Sequence, residues 1–404
     1  MPETRELRVA MVNSALYSGG AARMARALNA AMNEIDGVRS RLFHCEGDRR
    51  HDTEIGLRRP GARQLNALLA RLGGAFAVCD LGVARELVTE TSNDDVLHVH
   101  NLHGYYLNFE RLLLAWRKRP IVWTWHDMWG ATGRCGFSYG CDRWREGCFS
   151  CPSTSLYPAA WLDRARFEFR RKSVFYKQLE RLAIVCPSDW LAEIALVRGF
   201  HEDQVQVIPN PVGTDCFQTI GKQTARRALD LPEKEFIPLF IASDCNDERK
   251  GYADFVACCE GQPWHPLVVG KPPARGIESM FYAGSVGDGK MLNLYYAAAD
   301  VMVIPTYADN YPNTVIESLV SGTPVFGYDE GGVPSQLAPF TDCEVVVKSN
   351  WQGLRSLLIE FSGGGGKDAE MEIMLSQQAR SLWERGHVAI RYRDLYKSLV
   401  SSVA

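Results

Sequence analysis

Residues 299–332 read ADVMVIPTYADNYPNTVIESLVSGTPVFGYDEGG. Val301 to Ile304 is a short apolar run, the pattern of a strand buried on both faces. A polar loop follows, and Pro312 suits the first helical position, where its missing N–H costs nothing. Val315, Ile316, Leu319 and Val320 recur at helical spacing, and Gly322 fits the residue just past the helix end. Thr323 to Tyr328 is the next buried strand. Strand, helix and strand in this order predict a parallel, doubly wound sheet. Asp309 then stands in the loop ahead of the helix, and Glu317 on the helix. Backbone N–H groups around Asn310, Asn313 and Thr314 would point out of the helix start, a setting that favours phosphate. Helical side chains lean toward the N-terminus, so Glu317 can approach a ligand held there and accept hydrogen bonds from ribose hydroxyls. Asp309, at the mouth, is placed to touch a sugar.

The run Asp309-Asn310-Tyr311-Pro312-Asn313, then Glu317, then Gly322-Thr323-Pro324-Val325 resembles the acidic-x7-Glu signature of family-four retaining glycosyltransferases. The resemblance implies the GT-B fold, in which two doubly wound Rossmann-like domains face each other across a cleft. It also implies that Asp309 lies beside the donor sugar and that Glu317 holds the ribose of the nucleotide. The usual first acid is Glu; Asp309 is one methylene shorter. The alternative for this stretch is an ordinary strand–loop–helix with surface carboxylates, against which several residues match in register.

The 404 residues predict two or three domains with ample core. A hydrophobic share of 46% and a charged share of 23% are those of a globular chain. The net charge of −3 gives no global case for nucleic acid. No run approaches the ~20 apolar residues needed to cross a bilayer. Met1 to Arg8 is polar and runs into a strand, unlike a signal peptide. Most of the twelve cysteines stand singly in apolar runs (Cys79, Cys186, Cys258, Cys259), as buried free thiols of a cytosolic protein do. The expected location is cytoplasmic, with peripheral contact at the inner face of the membrane as an option.

In the first half, Leu7 to Val12 reads as a strand, Asn13 to Gly20 as a loop, and Ala21 to Met32 as a helix, the opening unit of a doubly wound domain. Gly19-Gly20 lets backbone approach a bound group closely; alone it is equally a turn, and beside the signature it resembles the family's loop near the donor phosphates and acceptor. Val38 to His44 is a strand, and Glu46 to Arg59 reads as a polar loop. Gln64 to Phe76 is helical, with Arg63 and Arg71 beside Leu65, Leu68, Leu69 and Leu72. It either lies on an anionic membrane surface or packs on its own domain. Alternation places His98 and His100 on one strand face, either as a metal pair or as a core histidine with His100 or His103 reaching the cleft. The strand Ile121 to Trp125 ends at His126-Asp127, where parallel sheets bind ligands. His126 resembles the family's cleft histidine, which implies contact with donor sugar or acceptor.

Cys135, Cys141, Cys148 and Cys151 lie in one glycine-bearing loop, 135–151. Four thiolates at such spacing suit a structural zinc site; free cysteines or a redox pair are the alternatives. Similar cysteine patterns occur in relatives that build colanic-acid-type exopolysaccharides. Trp161 to Leu182 reads as a strongly basic helix, facing an anionic lipid-linked acceptor or the membrane surface, or else solvent. Ser188 suits the cap of a helix Leu191 to Arg198.

Pro209-Asn210 resembles the family's entry into the second domain. The expected domains are 1–209 for the acceptor, 210–385 for the nucleotide sugar, and a terminal helix, 386–404, crossing back. Arg249-Lys250-Gly251 resembles the family's Lys-Gly step, which implies that Lys250 binds the donor diphosphate, with Arg249 as a helper. Lysine is a compact charge suited to a departing diphosphate. Ser362 to Lys367 reads as a flexible surface loop; it lacks phosphate-loop spacing.

Together these features imply a retaining glycosyltransferase. Its donor is a nucleotide-diphosphate sugar bound by Gly19, Gly20, Arg249, Asn310, Tyr311, Asn313, Thr314 and Glu317. His126, Lys250 and Asp309 are the implied catalytic set, and no cofactor is required beyond an optional structural zinc. The acceptor is a saccharide or lipid-linked saccharide. A secondary-metabolite acceptor, a nucleotide-sugar epimerase and a non-catalytic nucleotide-sugar-binding subunit are the alternatives.

Overall fold

The apolar runs of the first half form seven strands: β1 (Leu7–Val12), β2 (Val38–His44), β3 (Glu54–Gly56), β4 (Val96–Val99), β5 (Ile121–Thr124), β6 (Leu182–Cys186) and β7 (Val205–Val207). The computed structural model describes all residues except 1–4, 18, 47–51, 58, 60, 80–81, 153, 212–215 and 402–404. The seven strands make one sheet in the order β3-β2-β1-β4-β5-β6-β7, with every described pairing parallel. β4, β5 and β6 are buried along their whole length, as sheets covered on both faces require. The second half gives β8 (Pro238–Asp244), β9 (Leu267–Lys271), β10 (Phe281–Gly284), β11 (Val301–Ile304), β12 (Val325–Tyr328) and β13 (Glu344–Val346), in the parallel order β10-β9-β8-β11-β12-β13.

Two compact units result, Met1–Pro211 with Arg385–Ala404, and Val212–Glu384. The terminal helix Arg385–Ser401 thus belongs to the first unit, where Val388, Ala389, Tyr392 and Tyr396 bury one face. Tyr396 and Tyr392 reach inward: the Tyr396 hydroxyl lies 2.7 Å from His98 Nδ1, and the Tyr392 hydroxyl 3.0 Å from Thr124 Oγ1. Because a buried polar group needs a partner, these bonds fix the helix on the sheet as well as its apolar contacts do.

Several local expectations need correction. The segment read as a polar loop contains β3, an edge strand held by pairing with β2. The basic helix is shorter, Ala165–Tyr176, because Asp163 accepts from Ala165 N at its start, and Glu180 N, bonding Arg117 O, leads the chain into β6. Lys172 and Glu168 on that helix are buried, so it is not a uniformly solvated face. Pro312 occupies the cap and the helix begins one residue later, Asn313–Val320. The glycine-rich segment is not a loose surface loop. Ser362 and Gly363 finish the helix Trp351–Gly363, and Lys367 is buried, donating to Ala297 O (2.9 Å) and Thr323 Oγ1 (2.8 Å).

Candidate functional site

In the second unit, the sheet order reverses between β8 and β11, and ligands of open parallel sheets bind outside the carboxyl ends at such a switch point. The loops after these two strands carry Arg249-Lys250 and Asp309. The structure brings all three together. Lys250 Nζ lies 2.5 Å from Asp309 Oδ2, and Arg249 Nη1 lies 3.5 Å from the same oxygen. Arg249 also donates to Ala308 O (2.8 Å) and pairs with Asp247 (3.0 Å). Two glycines make this approach feasible. Gly251, at φ +73°, passes so close that a Cβ would lie 1.8 Å from Pro305 O; at Gly331, φ +62°, it would lie 1.8 Å from Asp309 O. Only glycine combines a left-handed backbone with such contacts.

The helix Asn313–Val320 starts beside Asp309. Its first-turn amides have no carbonyl four residues behind them within the helix, so they are oriented toward whatever lies at its start. Asn310 is buried, and the Tyr311 hydroxyl accepts from Trp383 Nε1 (2.8 Å), which fixes the loop from below. Glu317 is buried and accepts from the Tyr296 hydroxyl (3.0 Å). That tyrosine sits on the separate helix Gly289–Ala298, and no spacing in the sequence links it to Glu317.

In the first unit the order reverses between β1 and β4. A hollow of about 470 Å³ lies there, lined among others by Ser14, Glu46, Arg59, Asn101, His103 and Tyr157. Glu46 Oε2 accepts from Leu16 N (2.8 Å) and Tyr17 N (2.9 Å), which ties down the approach to Gly19 and Gly20. Gly19, at φ +90°, precedes the helix Gly20–Asn33. His126 is half-buried. Its Nε2 lies 3.1 Å from His100 Nδ1, and burial pushes it down to about 4, so it is a neutral imidazole at ordinary pH. The histidine that lines the hollow is His103, whose Nε2 lies 2.9 Å from Asp127 Oδ2 and whose Nδ1 lies 3.3 Å from the Tyr157 hydroxyl. Burial raises Asp127, but His103 and the Trp129 N–H more than offset this and leave the carboxyl below its usual range. His98 is a core residue between Tyr396 and Thr124, not half of a metal pair. A larger hollow, about 840 Å³, is lined by Arg181, Leu182, Gln204 and Arg391. It includes the amino end of β6, the wrong end for a site of this fold, and contains none of the predicted residues.

Sequence reasoning singled out the His126-Asp127 step for its histidine. The structure shows the Asp127 carboxylate orienting His103 instead, a pairing across 24 residues that no local spacing reveals. Cys135, Cys141, Cys148 and Cys151 are free thiols. Among the described residues no three His, Cys, Asp or Glu side chains are grouped so that they could hold a metal ion. Burial pushes the Cys148 thiol up to about 11, and its sulfur accepts from Gly133 N (3.1 Å). Two buried cations tie the loop. Lys172 donates to Trp129 O (2.7 Å) and Thr132 O (3.2 Å), and Arg134 to Thr154 O (3.3 Å) and Pro158 O.

Comparison with known proteins accords with this geometry. Residues 18–215 match the family profile described as Glycosyltransferase Family 4, and residues 240–357 the one described as Glycosyl transferases group 1. WcaC of Escherichia coli (strain K12), whose name assigns it to colanic acid biosynthesis, is 26% identical over 254 residues, 59% of this chain and 60% of WcaC. A D-inositol 3-phosphate glycosyltransferase of Streptosporangium roseum is 23% identical over 55% of this chain and 56% of its own length. The chain therefore spans some three-fifths or less of these curated relatives. Among solved structures, sucrose-phosphate synthase of Thermosynechococcus elongatus superposes with a TM-score of 0.71 at 16% identity, covering 98% of this chain and all of that one. HepE of Anabaena in complex with UDP-glucose gives 0.67 at 11% identity, covering 97% of this chain and 100% of HepE. Both units have the parallel α/β architecture of GT-B glycosyltransferases, and with the two profiles matching in succession along it, the chain belongs to the family-four glycosyltransferases.

Proposed function

We propose that this protein transfers a sugar, with retention of configuration, from a nucleotide-diphosphate sugar to a hydroxyl of a saccharide or lipid-linked saccharide in exopolysaccharide or related glycan assembly. The observation that carries the reading is the convergence of Arg249, Lys250 and Asp309 at the switch point of the second sheet, beside the start of the helix that bears Glu317. In this reading Glu317, oriented by Tyr296, accepts from the ribose hydroxyls. Lys250, with a side chain 24% exposed, turns from Asp309 to the diphosphate. The first-turn amides at Asn313 and Thr314 take the rest of its charge, so no metal is needed for that task. Charge grows on the leaving diphosphate in the transition state, and donors fixed there lower the barrier. Asp309 then faces the sugar.

The acceptor enters on the first unit, at the hollow lined by Ser14, Asn101 and His103, the last held by Asp127. Its mixed donors and acceptors suit sugar hydroxyls. HepE structures hold UDP and UDP-glucose, which makes UDP-sugars the first probes. A thermal-shift panel of UDP-, GDP-, TDP- and ADP-sugars, followed by turnover with and without oligosaccharide acceptors, tests the reading. Stabilisation by one nucleotide sugar and acceptor-dependent release of its nucleotide are expected. Binding without any transfer would instead favour the non-catalytic subunit.

A further inference from the structure

The helix Ala62–Gly73 faces the opposite way from an ordinary surface helix. The residues it buries are Ala62, Asn66 and Ala70. Asn66 anchors that inner face, donating to Tyr105 O (3.1 Å) and accepting from Cys79 N (2.8 Å). The leucines point outward: Leu65, Leu68 and Leu72 are 43%, 46% and 45% exposed. Trp161 and Leu162 extend the apolar surface at 59% and 49% exposed; Trp161 N donates to Arg71 O (2.8 Å), and the Arg71 guanidinium lies 5.7 Å from the Trp161 ring. Single exposed leucines are ordinary, but three at helical spacing beside an exposed tryptophan form a patch.

Charge selects the occupant. Residues 61–73 and 161–166 carry Arg63, Arg71, Arg164 and Arg166 against one carboxylate, Asp163, which is engaged by Cys151 N and Ala165 N. Two copies meeting through this patch would bring like charges together. A bilayer with anionic headgroups accepts both the leucines and the arginines. Position gives the reason for docking there: Ala62, Arg63 and Gln64 of the same helix form one wall of the 470 Å³ hollow. No helix among the described residues is long and apolar enough to cross a membrane, so the contact is with its surface.

We propose that Leu65, Leu68, Leu72, Trp161 and Leu162, flanked by these arginines, dock the first unit on an anionic membrane surface and set the hollow at the headgroup level, where a lipid-linked acceptor is found. The choice of acceptor rests on the transferase reading; the docking itself does not.

Co-sedimentation with phosphatidylcholine vesicles, with and without phosphatidylglycerol, tests it without catalysis. The protein binds the phosphatidylglycerol vesicles, and added salt weakens binding. The variant L65N/L68N/L72N, its fold checked by circular dichroism, loses affinity on the order of tenfold or more. R71E/R164E loses the preference for anionic vesicles. Failure of the wild type to bind either vesicle, or equal binding by the leucine variant, overturns the proposal. So does a wild-type dimer in solution that the leucine variant dissociates, since a second copy would then be the occupant. Turnover of a soluble oligosaccharide by the leucine variant reports separately on the transferase reading.

Discussion

Replacing Gly331 by alanine tests whether the position of Asp309 matters. A Cβ at Gly331 would lie 1.8 Å from Asp309 O, and real Cβ contacts do not fall below 3.0 Å, so the carbonyl of Asp309 must retreat by more than an ångström. Gly332 N also bonds that carbonyl (3.3 Å), so the shift disturbs the loop on both sides. The φ of +62° adds a left-handed cost of roughly 1–2 kcal/mol for any L residue. Gly261 isolates that second cost: its φ is +73°, but a Cβ there meets nothing within 4 Å. Urea unfolding should show G261A losing about 1–2 kcal/mol and G331A losing more. A misplacement near 1 Å in a reacting centre costs on the order of 10²-fold in rate, so kcat/KM should fall by about that factor in G331A and hold in G261A. If G331A turns over donor as fast as G261A, Asp309 is not positioned by this contact for any chemical purpose.

Glu317→Ala should weaken nucleotide affinity by roughly 10- to 100-fold, the worth of charge-assisted hydrogen bonds at about 1.5–3 kcal/mol; unchanged affinity in calorimetry would displace the donor from this helix. Lys250→Met should lower kcat by on the order of 10²–10³ while costing no more than about 1 kcal/mol of stability, since its ion pair is partly exposed. A variant that is fully active would remove Lys250 from the leaving-group site. Acid should destabilise the first unit before its carboxylates titrate. Burial pushes His98 down to about 3 and His126 to about 4, whereas the unfolded chain protonates both near 6.5. Between those values the unfolded state holds more protons, so stability falls as pH falls, by up to about 1.4 kcal/mol per unit for each histidine. A urea midpoint that stays level or rises from about pH 6.5 to about 5 would contradict their buried neutral state.

The sequence by itself determined the strand–helix–strand units, with Asp309 in the loop ahead of its helix and Glu317 on that helix. That information is local: a short apolar run, a loop and a 3.6-residue period are set by neighbours in the chain. The expected boundary at 209/210 came from the resemblance of Pro209-Asn210 to the family's step; the compact units divide after Pro211 and again before Arg385. What depends on contacts between distant residues was not legible in the sequence. The ties that Lys172 and Arg134 make to the cysteine-bearing loop are one case, since their carbonyl partners come together only after folding. That His103 lines the hollow and meets Asp127 24 residues away was not legible either. Tyr296 was invisible as the partner of Glu317 because it comes from another helix. The outward face of the helix Ala62–Gly73 was undecided as well. Periodicity reports that leucines share a side, but only packing, here the anchoring of Asn66 by Tyr105 and Cys79, decides whether that side meets the core or the solvent.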